Sequence, residues 1–169
     1  MKHLHLLRHA KSSWKDRSLP DEQRPLAPRG VRASARMAEH IAQAELSVEL
    51  VACSPARRAR DTLEAIRPAL GPNVEVRTEP ALYGAGPDDL LDFVRELPEE
   101  VDCALLVGHN PGLQSFALRL AASGQEVDTL AAKYPTGALA SLALEIESWR
   151  EAAFGGAMLE SFVRPRELR

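Results

Sequence analysis

Residues 3–14 read His3-Leu4-His5-Leu6-Leu7-Arg8-His9-Ala10-Lys11-Ser12-Ser13-Trp14. The leucines of this stretch predict a short buried strand, and Arg8 and His9 follow at its carboxyl end. In an open α/β sheet, ligands bind in the crevice beyond the carboxyl ends of the strands. A guanidinium beside an imidazole at that place can fix a phosphate next to a nucleophile. The stretch therefore predicts both an α/β fold and the position of its site.

Two further apolar runs end in the same manner. Residues 48–53 precede Ser54-Pro55 and a helical pattern at 56–66, and residues 104–107 precede Gly108-His109 and a helix at 113–122. Strands that alternate with helices predict βαβ units and a mostly parallel sheet covered on both faces. We therefore expect one domain over residues 1–169, a three-layer α/β/α sandwich.

The remaining elements are read from periodicity and from proline and glycine breaks. Helices are predicted from residue 29 to 44 and from 88 or 89 to 97, and strands at 74–78 and 138–146. A last apolar stretch at 158–163 predicts a strand at the edge of the sheet. Residues 15–28, 79–87 and 123–137 are expected to be loops, the first of them close to the proposed site.

Composition limits the class of protein. The 169 residues suit one domain, and 45% hydrophobic with 27% charged residues is typical of a globular protein. A net charge of −3 excludes a general basic coat for nucleic acid. No apolar stretch approaches the roughly 18 residues of a membrane span, and no signal peptide is evident, so we expect a cytoplasmic protein without a membrane partner. Cys53 and Cys103 are expected to be reduced strand residues, although their distance is left open.

The candidate functional side chains lie at the ends of three predicted strands. Because the carboxyl ends of strands in one sheet share a crevice, Arg8-His9, Arg58 and His109 are expected to converge. Arginine offers a planar fork of donors that matches phosphate oxygens, and a neutral histidine is able to attack phosphorus. This set indicates phosphoryl transfer through a phosphohistidine.

These residues also carry a family resemblance. The motifs are Leu7-Arg8-His9-Ala10, Ser54-Pro55-x-x-Arg58-Ala59-x-x-Thr62 and Val107-Gly108-His109-Asn110. Together they resemble the histidine phosphatase superfamily, also called the phosphoglycerate mutase-like or RHG superfamily. The similarity is greatest to SixA-type phosphohistidine phosphatases, through residues 8–14, Arg24-Pro25-Leu26-x-x-Arg29-Gly30 and Pro135-Thr136-Gly137-Ala138. It covers residues 4 to about 165 and implies a phosphoglycerate mutase-like sandwich.

The resemblance implies a role for each residue of the set. His9 is the nucleophile that accepts the phosphoryl group, Arg8 and Arg58 clamp its oxygens, and His109 stabilises charge on them. Water then hydrolyses the phosphohistidine. Ser12 and Arg24 are further candidates for binding the phosphate. No metal and no cofactor are implied, because the arginines supply the positive charge.

A general acid is the missing part. Many members of the superfamily carry a glutamate after the third strand, and here the candidates are Glu79, Asp88, Asp89 and, in the first loop, Asp16. A phosphohistidine substrate tolerates this gap, since a protonated imidazole is a good leaving group. The short segment between residues 78 and 101 also leaves no room for a large lid. Both features favour a phosphate carried on a protein, as in a histidine-containing phosphotransfer domain.

Two alternatives remain open from the sequence. The chain could hydrolyse small phosphate esters or phosphoramidates, or it could be a non-catalytic binder of phosphate or phosphoproteins. If His9 is the nucleophile, its protonation is expected to lower the rate between pH 8 and about 5. Trp14 and Trp149 are expected to be packing residues.

Overall fold

A computed structural model describes residues 1–169, and a single sheet of seven strands is its centre. The strands are β1 (Lys2–Arg8), β2 (Leu50–Cys53), β3 (Glu75–Thr78), β4 (Cys103–Gly108), β5 (Ala121–Ser123), β6 (Leu139–Leu144) and β7 (Ala157–Val163). The helices are α1 (Pro28–Ala44), α2 (Arg57–Ile66), α3 (Pro87–Arg95), α4 (Gly112–Leu120) and α5 (Val127–Ala132). A helix with the length and hydropathy of a membrane span is absent from this set.

The strand order is β3-β2-β4-β1-β6-β7-β5. Strands β1, β2, β3 and β4 are parallel to one another, whereas β6 is antiparallel to both β1 and β7, and β5 is parallel to β7. Only β6 therefore runs against the others. The prediction of a mostly parallel sheet in an α/β fold is confirmed.

Alternate side chains of the strands build a core on each face. Leu4 and Leu6 of β1 belong to a cluster of 27 buried residues under α3, α4 and α5. Leu7 belongs to a cluster of 14 under α1 and α2, where Met37 and Ile41 of α1 are 1% exposed. Helices thus cover both faces, so the three-layer arrangement is confirmed.

Cys53 and Cys103 are free and buried in the smaller of these clusters. Cys53 pairs with Val107 in the sheet, which places the two thiols about four residues, or roughly 13 Å, apart along the strands. Such a separation excludes a disulfide. Burial raises the pKa of each thiol to about 12, so both are inert.

Two expectations for the C-terminal half are wrong. Residues 123–137 are not all loop, because they contain the one-and-a-half-turn helix α5, whose single buried side chain, Leu130, leaves no visible periodicity. The strand expected at the edge, β7, is internal, since the three-residue β5 pairs with its outer side. The sequence of β5 is Ala-Ala-Ser, which has none of the β-branched or aromatic residues that identify strands.

The sheet topology positions the site. Strands β2, β4 and β1 are adjacent and parallel, and their pairing sets Arg8 beside Gly108 and Cys53 beside Val107. The residues that follow these three strands therefore leave the sheet at one edge, as predicted.

Candidate active site

A cavity of about 480 Å³ opens at this edge of the sheet. Its lining comprises Arg8, His9, Lys11, Ser12, Trp14, Asp21, Arg24, Arg58, Tyr83, Gly84, His109, Asn110 and Thr136. All six residues that the sequence nominates for catalysis or phosphate binding are among them. Residues from Arg8 to Thr136 of the chain thus meet at one site.

His9 is a buried, neutral imidazole with a defined tautomer. Its Nδ1 lies 2.7 Å from the carbonyl oxygen of Ala10, and because a carbonyl only accepts hydrogen bonds, Nδ1 carries the proton. Nε2 therefore keeps a lone pair, and it faces Nε of Arg58 at 3.4 Å. Burial, more than the nearby positive groups, lowers the pKa of His9 to about 3 despite the opposing effect of the Ala10 carbonyl. At neutral pH the ring is able to attack an electrophile.

Hydrogen bonds hold the backbone on either side of His9. The His9 amide donates to the carbonyl of Gly108 at 3.0 Å, and the Gly137 amide donates to the carbonyl of His9 at 3.0 Å. Thr62 Oγ1 accepts from the Ala10 amide at 3.0 Å and donates to the Arg58 carbonyl at 2.7 Å. The motif threonine therefore positions the strand end that carries His9 against the helix that carries Arg58.

The two arginines have different partners. Arg8 donates from Nη1 to the carbonyl of Tyr134 at 2.8 Å, while its buried Nε has no partner. Arg58, 6% exposed, reaches across the cavity and donates from Nη1 to the Asp21 carbonyl and from Nη2 to the Asp21 carboxylate, at 2.8 and 2.9 Å. Two guanidinium groups at one cavity give it the positive charge that suits an anion.

His109 completes the set that the sequence predicts. Its Nε2 lies 2.7 Å from the hydroxyl of the fully buried Ser54, and its Nδ1 lies 3.5 Å from Nη2 of Arg58. The His109 and His9 rings are 5.0 Å apart between centroids. Burial, followed by the positive charge of Arg58, lowers the pKa of His109 to about 4. The hydroxyl of Ser54 therefore orients a second neutral imidazole towards the cavity.

Asp21 lies in the site, although the sequence did not nominate it. A short turn over Asp21–Gln23 in the first loop brings its carboxylate to Arg58, to the Tyr83 hydroxyl at 2.5 Å and to Nη2 of Arg24 at 3.1 Å. The hydrogen bond from Tyr83, together with those from Arg58 and Arg24, holds the pKa of Asp21 well below its usual range. An ionised carboxylate therefore occupies the donors that a phosphate needs. The only signal in the sequence is the three-residue spacing to Arg24.

None of the four proposed general acids lines the cavity, Glu79 included. Asp16 accepts hydrogen bonds from Ser18 within its own loop. Asp88 lies 3.7 Å from Arg119, and Asp89 accepts from the amide of Gly86, the residue before α3. These contacts lie outside the cavity. The positions of the residues in the sequence, close to the predicted site, do not reveal this.

Ser12 and Arg24 do line the cavity and are bonded to each other. Nη1 of Arg24 donates to the Ser12 hydroxyl at 2.7 Å, and both side chains are buried. The Trp14 ring lies 3.6 Å from the Arg24 guanidinium, is 63% exposed and lines the cavity, so the expectation that it is a packing residue is wrong. Trp149, which is fully buried, does pack in the core.

Gly30 allows the loop after His9 to lie against α1. A methyl group at this position would sit 2.2 Å from the carbonyl oxygen of Lys11. We expect Gly30→Ala to lower the free energy of unfolding by about 1–3 kcal/mol, because the loop or the helix must shift, and to lower kcat/KM as His9 and Ser12 move. Chemical denaturation and steady-state kinetics measure both effects.

The matched control for Gly30→Ala is Gly86→Ala, since Gly86 has a φ of −88° and its added methyl group meets nothing closer than 3.6 Å. It is the N-cap of α3, so the expected loss is about 1 kcal/mol or less. Equal losses in the two variants would contradict the steric explanation.

Comparisons with known proteins agree with this geometry. A family model described as the histidine phosphatase superfamily (branch 1) matches residues 4–85. An uncharacterized protein of Mycobacterium leprae is 35% identical over 167 residues, which is 95% of this chain and 100% of that protein. The solved structure of a proposed phosphohistidine phosphatase SixA from Nakamurella multipartitia has a TM-score of 0.83 and 30% identity, covering 97% of this chain and 96% of that one. Its counterpart from Agrobacterium tumefaciens has a TM-score of 0.80 and 25% identity, covering 97% and 98%.

The chain therefore belongs to the histidine phosphatase superfamily and is a phosphatase of that superfamily. Within it, the solved structures just described place the chain's similarity with the SixA-type proteins. The resemblance deduced from the motifs is confirmed.

Proposed function

We propose that this chain, as one domain over residues 1–169, is a metal-independent phosphatase that removes phosphate from phosphohistidine in a protein. The observation that carries the proposal is the state of His9: neutral, held at Nδ1 by a carbonyl, with Nε2 facing the arginine-lined cavity. This is the state that a nucleophile needs.

In the first step, Nε2 of His9 attacks phosphorus and forms a P–N bond. Arg8 and Arg58 hold the phosphoryl oxygens, and His109 lies beside them. The bond from phosphorus to the substrate imidazole breaks, and its electron pair returns to the leaving nitrogen. Phosphoryl transfer requires little beyond such positioning and charge stabilisation.

In the second step, water attacks the phosphorus of phospho-His9. The P–N bond breaks with its electron pair returning to Nε2, and the proton lost by the water is taken up by the phosphate that leaves. The neutral imidazole is thereby restored. No group outside the cavity is required for either step.

The state of Asp21 supports a phosphohistidine substrate. Asp21 is the one carboxylic acid that lines the cavity, and its hydrogen bonds keep it ionised. An alkyl phosphate ester would need a proton on its leaving oxygen, whereas an imidazole protonated on its other nitrogen leaves as a neutral ring. The open cavity, with no domain above it, also suits a phosphate presented on a protein surface.

The direct test uses a histidine-containing phosphotransfer domain phosphorylated on its histidine. With the protein and excess EDTA, we expect release of inorganic phosphate. Rapid turnover of one sugar or nucleotide phosphate, with the phosphoprotein left intact, would instead support the small-molecule alternative. Binding of vanadate without turnover of any substrate would support a non-catalytic binder.

The pKa values of the two histidines predict how activity depends on pH. Because burial lowers the pKa to about 3 for His9 and about 4 for His109, both rings stay neutral at pH 5. The lone pair on Nε2 is lost only as the pH approaches these values, so kcat/KM, corrected for the ionisation of the substrate, should stay nearly constant from pH 8 to about 5. The sequence predicts a fall in rate over this pH range, because it gives His9 the pKa of an unperturbed imidazole. The burial of the ring changes that prediction.

NMR titration of the imidazole resonances in the substrate-free protein measures the lowered pKa values from which this pH profile is predicted. The His9 resonances should keep their neutral positions down to about pH 5. A titration midpoint between pH 6 and 7 would show that the ring is not shielded from water in the way the structure implies.

A further inference from the structure

A second cavity, of about 450 Å³, borders the active-site cavity. It is lined by Lys11, Arg29, Ala33, Arg36, Pro135, Thr136, Arg164, Pro165 and Arg166. Lys11 and Thr136 line both cavities, so the two are adjacent. We call the second one the basic cavity.

The basic cavity has five cationic side chains and no carboxylate in its lining. Only Arg164 has an ion-pair partner, Glu167. Arg36 is half-buried in α1, and its Nε is shielded from solvent without any hydrogen-bond partner. Unpaired cations that converge in this way repel one another, and a buried donor without an acceptor is unfavourable. Both features indicate an anionic partner.

The distribution of charge over the whole chain strengthens this indication. The protein has a net charge of −3, with 21 lysines and arginines and 24 acidic residues. Yet eight of the 21 cations line the two cavities, whereas Asp21 is the only acidic residue there. The positive field is therefore local, and it surrounds the place where a phosphorylated substrate must approach.

We propose that the basic cavity is a docking surface for acidic side chains that flank the phosphohistidine of a partner protein, an inference that rests on the proposed function. Arg29 and Arg166 are exposed at its rim, so the cavity faces outward and does not enclose a small molecule. Its cations come from three separate segments, namely the loop after β1, α1 and the turn at Pro165–Glu167. Such a spread suits several carboxylates on one surface better than a single anion.

The test compares two double variants that each remove two positive charges. Arg29→Gln/Arg36→Gln changes the basic cavity, and Arg67→Gln/Arg77→Gln changes exposed arginines near the outer strand β3. The substrates are a peptide with one phosphohistidine flanked by four glutamates, the same peptide with four glutamines, and inorganic phosphoramidate.

At low ionic strength, we expect the wild-type protein and the control to prefer the glutamate peptide in kcat/KM by about tenfold. Arg29→Gln/Arg36→Gln should lose most of this preference and keep its activity on phosphoramidate, and salt should reduce the preference of the wild type. A retained preference in that variant would overturn the proposal. So would equal losses on all three substrates.

Fluorescence anisotropy with an unphosphorylated, labelled glutamate peptide separates this inference from the proposed function. If no phosphohistidine substrate is turned over by the wild type, the proposed function fails. The docking surface is still supported if the glutamate peptide binds the wild type and the control several-fold more tightly than Arg29→Gln/Arg36→Gln. It is overturned if the three proteins bind the peptide equally.

Discussion

Replacing His9 with alanine should lower kcat for phosphate release by about 10,000-fold or more, the largest effect that we expect from any single change. The alanine variant has no atom to form the P–N bond, so the reaction loses its covalent route. The arginines and His109 remain to bind phosphate, and binding of vanadate should therefore persist. Release of labelled phosphate from a phosphohistidine protein measures the loss.

The matched control is His3→Ala, because His3 lies in β1, the strand that His9 follows, but its side chain is 38% exposed and near Glu160, away from the cavity. Its activity should stay within about twofold of the wild type. Mass spectrometry after an alkaline quench should find phosphate on His9 of the wild-type protein and of His3→Ala, and no phosphohistidine in His9→Ala. Comparable turnover by His9→Ala would assign the attack on phosphorus to water or to another group.

Changing Arg58 to lysine should lower kcat/KM by about 100- to 1,000-fold although the charge is kept. Arg58 uses all three of its nitrogens in the cavity: Nε faces His9, and Nη1 and Nη2 bond to Asp21. A lysine offers one ammonium group on a differently shaped side chain and cannot hold two phosphoryl oxygens in one plane. Steady-state kinetics with phosphoramidate measure the loss at the reaction centre itself.

The neighbouring residue gives the control for this prediction. Arg57 is 51% exposed and lies 3.5 Å from Asp61 on the outer side of α2. Arg57→Lys should change kcat/KM by no more than about twofold, and thermal unfolding should be similar for the two variants. If Arg58→Lys is as active as Arg57→Lys, positive charge alone suffices and the planar fork is not needed.

Most of the fold follows from local patterns that the sequence displays. Buried strands such as β1 and β4 are apolar runs closed by a turn, and α1 has a clear helical period, so their type and approximate bounds could be predicted. The two missed elements are short: β5 is held by its pairing with β7, and α5 packs against α4. Their structure is determined by tertiary packing, which no local pattern records.

The residues of the site also fall into two groups, those that the sequence predicts and those whose position depends on the complete fold. Arg8, His9, Arg58 and His109 follow strands or begin a helix, so topology alone brings them to one edge of the sheet. Asp21 lies in a loop, and its place depends on hydrogen bonds to side chains 37 and 62 residues away. The lowered pKa of His9 has a similar origin, since it results from burial by the complete fold.

The carboxylate of Asp21 gives the phosphate site an internal competitor. A phosphoryl group that engages both terminal nitrogens of Arg58 has to replace a tethered anion rather than fill an empty cationic site, so binding is an exchange. The apparent affinity for any phosphate is then the intrinsic affinity multiplied by the fraction of molecules in which Asp21 is released. A substrate that also contacts the protein outside this cavity has further interactions to offset the reduction, whereas free inorganic phosphate does not. We therefore expect inorganic phosphate to be a weak inhibitor.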